Sequence, residues 1–330
     1  MKRCLILLLL LAFILGGCTA RQKQHTVTYL DLFDTVTTVV GAGFTEAEFQ
    51  NHAAAIRDDL QTYHQLFDIY RDYAGLNNLK TVNDQAGIAP VKVEPAIIEL
   101  LLECREYYDL TDGRVNVAMG SVLKLWHTAR EQNRLPDADA LTRAAEHISF
   151  ETVIIDEAAS TVYISDPEQS LDVGAIAKGW AVQRVAETVP AGMLISVGGN
   201  VVATGGKDTD GTPWVIGIQN PDHSSGYLHT IGITEGAVVT SGDYQRYFEV
   251  DGQRYHHIID PETRMPATYW RSVTVVCPDS GLADALSTAL FLLPLEKGMA
   301  LAERCGAQAL WLDGEGDTFM TDGFREMIQQ

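Results

Sequence analysis

The 330-residue chain has little positive charge. It carries 24 lysines and arginines against 44 aspartates and glutamates, which gives a formal net charge of −20. A chain this acidic repels a nucleic-acid backbone, so nucleic acid is excluded as a partner. With 46% hydrophobic and 21% charged residues the composition is that of a globular protein, long enough for one large domain or two smaller ones.

Cysteine is scarce, and its spacing indicates neither a disulfide framework nor a zinc site. Cys4 and Cys18 lie in the N-terminal segment, while Cys104, Cys277 and Cys305 are scattered and form no C-x-x-C pair. We expect these last three to be small buried hydrophobic residues. The chain also lacks the G-x-G-x-x-G and Walker motifs of common nucleotide-binding folds.

The longest apolar run of the N-terminus, over residues 5–15, is too short to span a membrane comfortably. Two basic residues precede it, and the sequence LGGC, ending at Cys18, follows in a pattern that resembles the lipobox of bacterial lipoproteins. We therefore predict a signal peptide over 1–17, a diacylated Cys18 and a polar, lipidated tether over 18–28. The body would be lipid-anchored on the extracytoplasmic face of the cell membrane; an uncleaved helical anchor is the alternative.

From residue 29 onward, strand and helix patterns are mixed without regular βαβ alternation, which indicates an α+β fold. A helix is predicted from the apolar stripe between Phe49 and Tyr70, followed by a long polar loop over 71–90. Further helices are predicted over 95–108, 137–147, 175–189, 279–293 and 295–305. Strands are predicted over 29–40, 152–156, 160–164, 193–206, 213–219, 227–233, 236–241, 271–277 and 309–313.

The stretch LDVGAIAKGWA, residues 171–181, combines an acid, a Gly-Ala turn and Lys178 on the first turn of a predicted helix. Unpaired N–H groups at a helix start hold anions, and a lysine adds a compact charge suited to phosphate. An ordinary strand-to-helix connection with a surface lysine is the alternative.

Asp284 and Thr288 lie four residues apart in ADALST and therefore share one face of a predicted apolar helix. A carboxylate and a hydroxyl are too few ligands for a protein cage. They suffice for Mg²⁺ that keeps waters and binds substrate phosphates. Alternatively, Asp284 is an acid near a helix N-terminus, stabilised by the macrodipole.

Two polar stretches, TSGDYQRYFEV and QRYHHIIDP, flank Asp251-Gly252, which is a strong signal for a two-residue hairpin turn. The turn predicts three cross-strand pairs: Val250 with Gln253, Arg246 with His257, and Asp243 with Asp260. Arg246 would then keep the His257 imidazole neutral and ready to accept a proton. A solvent-facing hairpin is the alternative. In ISVGGN, Gly198-Gly199 indicates either a close backbone approach or a β-bulge.

Together, LDVGAIAKGWA, ISVGGN, TSGDYQRYF, YHHIIDP and ADALST, in that order, resemble the ApbE family of flavin transferases, and LFDTVTTV fits the family's first strand. The resemblance implies an ApbE-like (T-fold-like) fold of mixed sheets with flanking helices, a single large domain over 29–330. It also implies a Mg²⁺-dependent enzyme that takes FAD as substrate, releases AMP and attaches FMN to a threonine or serine of a target protein. Familiar targets are flavin-bearing subunits of Rnf and sodium-pumping NADH:quinone oxidoreductase complexes.

The resemblance further implies a set of site residues. The metal ligands would be the Ala175 carbonyl, Asp284 and Thr288, with Lys178 neutralising charge and His257 accepting the proton of the acceptor hydroxyl. The implied FAD contacts are Phe33, Ala74, Gly75, Leu76, Asn116, Lys178 and Ile259. Three positions depart from the family pattern: Phe33 replaces a usual methionine, AGLNNL replaces Ser-Glu-Leu-Ser, and Asn116 replaces a frequent aspartate.

Two other functions fit the same sequence. The chain could hydrolyse FAD to FMN and AMP with water as acceptor, which the motifs do not distinguish from transfer. It could also be a tethered, non-enzymatic flavin-binding lipoprotein, although simple flavin binding needs no Asp284–Thr288 pair.

Overall fold

The computed structural model describes residues 23–222 and 226–329. The predicted signal peptide and the predicted lipidation site Cys18 lie outside these residues. Within them, no helix is both long and apolar enough to cross a membrane. The first strand begins at Gln24, so residues 24–28, which the sequence assigned to the tether, are part of a sheet instead.

The strands are β1 (Gln24–Leu32), β2 (Thr35–Ala42), β3 (Val91–Lys92), β4 (Val153–Asp156), β5 (Thr161–Ile164), β6 (Met193–Val197), β7 (Asn200–Thr204), β8 (Trp214–Gln219), β9 (Tyr227–Ile233), β10 (Glu235–Gly242), β11 (Tyr247–Val250), β12 (Gln253–His256), β13 (Ser272–Cys277), β14 (Gln308–Leu312) and β15 (Thr318–Met320). The helices are α1 (Glu46–Phe67), α2 (Leu79–Asp84), α3 (Pro95–Leu110), α4 (Gly120–Gln132), α5 (Ala138–Ala144), α6 (Ala177–Ala186), α7 (Ser280–Phe291), α8 (Leu295–Arg304) and α9 (Asp322–Met327), with 3₁₀ turns at Val117–Met119 and Phe150–Thr152.

The centre of the fold is an eight-stranded sheet in the order β1-β2-β6-β7-β10-β13-β14-β15, in which every neighbouring pair is antiparallel. Three smaller sheets pair β3-β5-β4, β8-β9 and β11-β12. Antiparallel strands interspersed with helices confirm the predicted α+β class.

Both faces of the main sheet are covered. One face packs against α1, α6, α7 and α8, and α3 packs on α1, to form the largest core cluster. The other face is covered by the β8-β9 hairpin and α9. Burial on both sides explains why the central strand β13 is buried at every position, including its polar residues Ser272 and Thr274.

Local sequence signals account for the helices that build the site. Thr45 and Glu48 form a capping box that starts α1, and its predicted stripe from Phe49 to Leu60 is fully buried. Tyr70, predicted to belong to this helix, lies beyond its end and is 61% exposed. Helix α7 is buried along most of its length because it packs on β10 and β13 and against α6.

Three predicted elements differ from the structure. Residues 29–40 are not one strand, because Phe33 and Asp34 adopt φ of 51° and 50° and turn the chain between β1 and β2. The loop over 71–90 contains α2, which Asn78 caps. Residues 193–206 form two antiparallel strands, β6 and β7, joined by Gly198-Gly199.

The three remaining cysteines are free. Cys104 and Cys277 are buried as expected, and Cys305 is partly exposed.

Candidate active site

Helices α6 and α7 meet at Gly179 and Asp284. The Gly179 N–H donates to Asp284 Oδ2 at 2.9 Å. A Cβ added at Gly179 would lie 2.5 Å from Asp284 Cβ and 2.4 Å from the Ser280 carbonyl oxygen. The glycine of the AKGWA sequence is therefore required for the close approach that places a backbone donor on the buried carboxylate.

Asn200 supplies a second donor to the same oxygen. Its Nδ2 donates to Asp284 Oδ2 at 2.7 Å, and the asparagine is 2% exposed. Gly198 and Gly199, with φ of 57° and 97°, form the tight turn that places Asn200 at the start of β7. The Gly-Gly signal thus marked a hairpin turn rather than a bulge. The sequence analysis assigned no role to Asn200. The available signal was an asparagine side chain placed directly after two glycines.

Lys178 provides the positive charge at this centre. Its Nζ lies 3.8 Å from Asp284 Oδ2 and donates to the Gly174 carbonyl at 3.0 Å. The turn that precedes the lysine is fixed because the Gly174 N–H donates to Asp172 Oδ1 at 2.9 Å. Lys178 is therefore held beside the carboxylate, at the first turn of α6, as the sequence indicated.

The Asp284 carboxylate suits a cation. Burial raises its pKa, an effect opposed by Lys178, the Gly179 N–H and Asn200. All of its hydrogen bonds end on Oδ2, and no group of the described residues donates to Oδ1. A buried carboxylate with one oxygen oriented by donors and the other free is a fitting ligand for a hard cation.

The other predicted metal ligands lie on the two segments that meet at this carboxylate, α7 and the turn before α6. Thr288 is one helical turn further along α7 and half-buried, and Ala175 lies half-buried in the turn before α6. Within residues 23–222 and 226–329 no three histidine, cysteine, aspartate or glutamate side chains cluster to hold a metal. One carboxylate, one hydroxyl and one carbonyl are oxygen donors of the kind that Mg²⁺ takes, since it binds few protein carboxylates and completes its shell with waters and phosphates.

The hairpin prediction is confirmed up to Arg246 and His257. Strands β11 and β12 pair Val250 with Gln253 and Tyr247 with His256, and the His257 N–H donates to the Arg246 carbonyl at 3.2 Å. The third pair is wrong, because the ladder does not reach Asp243 and Asp260.

Asp243 and Asp260 instead belong to separate ion pairs. Asp243 Oδ2 accepts from Arg271 Nε at 2.9 Å, because β10 ends at Gly242 and the chain turns before β11 begins. Asp260 Oδ1 accepts from Arg114 at 3.2 Å. Both carboxylates are thereby engaged by arginines across different elements.

His257 is half-buried, and one of its ring nitrogens is hydrogen-bonded. Its Nδ1 lies 3.2 Å from the Arg246 carbonyl, which can only accept, so Nδ1 carries the proton and Nε2 keeps a lone pair. Burial, and then the charges of His256 and Arg246, lower the pKa of His257 to about 3. The expected neutral imidazole is therefore present, although burial contributes more than Arg246.

His257 lies in a narrow cleft between α4 and the β11-β12 hairpin. Helix α4 and the hairpin line it with Leu123, Trp126, His127, Arg130, Arg246, Phe248, Tyr255 and His256. Lys178 is also among the charges that lower the pKa of His257, so the lysine acts electrostatically on both the cleft and Asp284.

Apart from Lys178, the predicted flavin contacts lie on four separate segments of the chain. The Phe33 N–H donates to His64 Nδ1 at 3.1 Å, which holds the turn between β1 and β2. Ala74 and Gly75 form an exposed tight turn, closed by a bond from the Leu76 N–H to the Tyr73 carbonyl at 3.1 Å.

The remaining two predicted flavin contacts, Asn116 and Ile259, are buried. Asn116 is buried, and its amide both accepts from the Ala118 N–H and donates to the Ile148 carbonyl, each at 2.9 Å. Ile259 is 5% exposed in the small core cluster that contains Trp126. Of the predicted residues, Lys178 and Asp284 lie 3.8 Å apart, and the charge of Lys178 also acts on His257.

Comparisons with known proteins give consistent results. The sequence model described as the ApbE family matches residues 30–311. A FAD:protein FMN transferase of Treponema pallidum (strain Nichols) is 37% identical over 273 residues, covering 77% of this chain and 74% of the relative. A FAD:protein FMN transferase of Klebsiella pneumoniae (strain 342) is 34% identical over 274 residues, covering 78% and 83%.

Solved structures are similar over almost the whole chain. The ApbE protein of Thermotoga maritima superposes with a TM-score of 0.84 at 28% identity, covering 93% of this chain and 100% of that one. The flavin transferase ApbE from Vibrio cholerae gives a TM-score of 0.78 at 26% identity, with coverage of 93% and 99%.

Proposed function

Because the chain belongs to the ApbE family and is a flavin transferase, we propose that it moves FMN from FAD to a threonine or serine hydroxyl of an acceptor protein, with release of AMP and dependence on Mg²⁺. The observation that carries the proposal is the Asp284 carboxylate. Donors from α6 and β7 orient its Oδ2, while its Oδ1 accepts nothing from the described residues.

The proposed reaction exchanges a phosphoanhydride bond of FAD for a phosphoester bond on the acceptor. The acceptor oxygen forms a bond to the FMN phosphorus as the pyrophosphate bond to AMP breaks, and the hydroxyl proton passes to His257 Nε2. His257 is suited to this role because its Nδ1 is bonded to the Arg246 carbonyl and its imidazole is neutral. Phosphoryl transfer needs mainly positioning and charge neutralisation, which Lys178 and the start of α6 supply.

Asp284, Thr288 and the Ala175 carbonyl would hold Mg²⁺, which when bound supplies electrostatic stabilisation of the pyrophosphate oxygens. Asn200 and the Gly179 N–H would orient the carboxylate for that purpose. These two groups act on the ligand rather than on the substrate.

We further propose that Phe33, the Ala74–Leu76 turn, Asn116, Lys178 and Ile259 bind FAD. Phe33 and the Ala74–Leu76 turn are partly accessible. Asn116 already bonds two backbone groups, so it would act by fixing the 3₁₀ turn that follows it.

We also propose that diacylated Cys18 anchors the enzyme to the outer face of the cell membrane. Flavin-bearing subunits such as those of Rnf or sodium-pumping NADH:quinone oxidoreductase complexes are the proposed acceptors. Anchoring supports this choice because it would keep enzyme and membrane-bound acceptor at one surface.

The proposal is tested by incubating the protein with FAD, Mg²⁺ and a candidate acceptor, then measuring the acceptor's mass and the AMP released. We expect each acceptor to gain the mass of one FMN. This gain should disappear when EDTA is added, and also when the receiving threonine or serine of the acceptor is replaced by alanine. AMP and free FMN with an unmodified acceptor would show hydrolysis instead. Recovery of intact FAD with every acceptor tried would favour flavin storage.

A further inference from the structure

A hydrogen bond joins Tyr70 to His127 at the edge of the cleft. Tyr70 lies just beyond α1 and is 61% exposed, yet its hydroxyl oxygen is 2.8 Å from His127 Nδ1. His127 belongs to α4 and lines the same cleft as His257. An exposed aromatic ring is thus held by a histidine of the candidate active site.

The second nitrogen of His127 faces a carboxylate. His127 Nε2 lies 3.9 Å from Asp172 Oδ2, and Asp172 Oδ1 accepts from the Gly174 N–H. That arrangement favours the proton on Nε2 and leaves the Nδ1 lone pair to accept the Tyr70 O–H. Desolvation of the two hydrogen-bonded ends lowers the pKa of His127 and raises the pKa of Tyr70, although the rest of the Tyr70 ring is exposed; the imidazole stays neutral and the phenol protonated.

These contacts form a continuous chain that ends at the proposed phosphate-binding lysine. It runs from Tyr70 through His127 and Asp172 to Gly174, whose carbonyl accepts from Lys178 Nζ at 3.0 Å. The loop after α1 is thereby linked to the LDVGAIAKG turn across α4.

The Tyr70 bond is not needed to hold the loop. Asp68 Oδ1 already accepts from the backbone N–H groups of Tyr70 and Arg71 at 2.7 and 3.1 Å. The His127 contact therefore fixes only the orientation of the ring, and that ring remains exposed. Restraining an exposed side chain without burying it costs conformational entropy during folding. A ligand that binds this preorganised group then loses less free energy to ordering the side chain.

We infer that His127 is a positioning residue, which holds the Tyr70 ring as a fixed wall against the flavin substrate at the mouth of the cleft. This inference rests on the proposed function only for the identity of the ligand, FAD. No covalent step involves either residue.

The test measures FAD binding directly, by flavin fluorescence with EDTA present, in Tyr70→Phe, His127→Ala and the double variant. Loss of one neutral hydrogen bond is worth about 0.5–1.5 kcal/mol, so each single variant is expected to bind FAD about 2- to 12-fold more weakly. The double variant is expected to match the weaker single variant, because both changes break the same contact. In transfer assays KM for FAD should rise while kcat at saturating FAD stays within about twofold.

His127→Asn provides the rescue, because an asparagine Oδ1 stands close to the position of Nδ1 and accepts the same O–H. Tyr227→Phe and His229→Ala are matched controls on the β8-β9 hairpin, which covers the opposite face of the main sheet. Thermal melting checks that each variant is folded. If His127→Ala does not fold, the FAD affinity of Tyr70→Phe alone tests the inference.

Unchanged FAD affinity in folded Tyr70→Phe would overturn the inference, as would additive losses in the double variant or a tenfold fall in kcat at saturating FAD. The binding measurement does not require turnover. A wild-type protein that binds FAD but transfers nothing would refute the proposed function and leave this inference to be decided by the affinities.

Discussion

Asn200 Nδ2 donates to Asp284 Oδ2 at 2.7 Å, linking the first residue of β7 to the middle of α7. The contact is buried, and the Gly179 N–H reaches the same oxygen from α6. The sheet and two helices thus converge on one carboxylate, which leaves its other oxygen directed away from these donors.

Asn200→Ala should weaken Mg²⁺ binding. Removing a group that orients a metal ligand typically costs about 10- to 100-fold in metal affinity or activity. FAD turnover measured against Mg²⁺ concentration should therefore need more metal for half-maximal rate. The exposed Asn51→Ala on α1 is the control, and an unchanged Mg²⁺ dependence in Asn200→Ala would remove Asn200 from the site.

Asp284→Ala should abolish Mg²⁺-dependent cleavage of FAD, because the charged ligand is lost. The fold should survive, since burial already disfavours the ionised acid and alanine is a good helix former. Thr288→Val should have a smaller effect, because it removes a neutral ligand and no charge. The measurement is FAD turnover with and without Mg²⁺, with circular dichroism to verify folding.

Asp59→Ala, an exposed acid on α1, is the matched control for this pair. Full magnesium-dependent activity in folded Asp284→Ala would refute the metal assignment and most of the proposed mechanism with it.

His257→Ala should slow FMN transfer while FAD still binds, because proton acceptance is lost but the proposed phosphate site is kept. Wild-type transfer should not fall through protonation of this group between about pH 7 and 5, since burial, His256 and Arg246 lower the pKa of His257 to about 3. Arg246→Gln removes one of these positive charges. It should raise that pKa and move the acid limb of the pH–rate profile upward.

The measurement compares the pH–rate profiles of the wild type and Arg246→Gln. FAD affinity is recorded at each pH so that a change in binding is separated from a change in rate. Transfer at the wild-type rate in His257→Ala would show that another group accepts the proton. An acid limb that moves downward in Arg246→Gln would contradict the electrostatic argument.

Gly179→Ala should destabilise the protein and lower activity together. The new Cβ would lie 2.4 Å from the Ser280 carbonyl oxygen, so α6 and α7 must separate. Overpacking of this kind typically costs about 1–3 kcal/mol of unfolding free energy, measured by urea denaturation. Gly314→Ala is the control because its Cβ would meet nothing within 4 Å, and equal stability of the two variants would contradict the close contact.

Cys18→Ser should leave the protein with its signal uncleaved or release it from the membrane fraction, because the acyl acceptor is lost. Fractionation and labelling with a fatty-acid analogue measure both effects. Cys4→Ser, inside the predicted signal but outside the lipobox, should behave as wild type. Normal lipid labelling of Cys18→Ser would refute the lipobox interpretation.

The sequence alone determined the features that depend on neighbouring residues. Capping, apolar spacing and turn chemistry predicted α1, α3, α7, the β4-β5 hairpin and the Asp251-Gly252 hairpin, because these signals act within a few residues. The mixed pattern of strands and helices predicted the α+β class that the structure shows, and the ordered motifs predicted the family.

Only the tertiary structure decided which distant groups meet. Asn200, Gly179 and Asp284 are far apart in the chain, and no local pattern reveals that they share one oxygen. The same holds for Asp243, which the hairpin pattern assigned to Asp260 and which the structure pairs with Arg271. Such contacts depend on how α6, α7 and the main sheet pack, and packing is set by complementary shapes across the core rather than by spacing along the sequence.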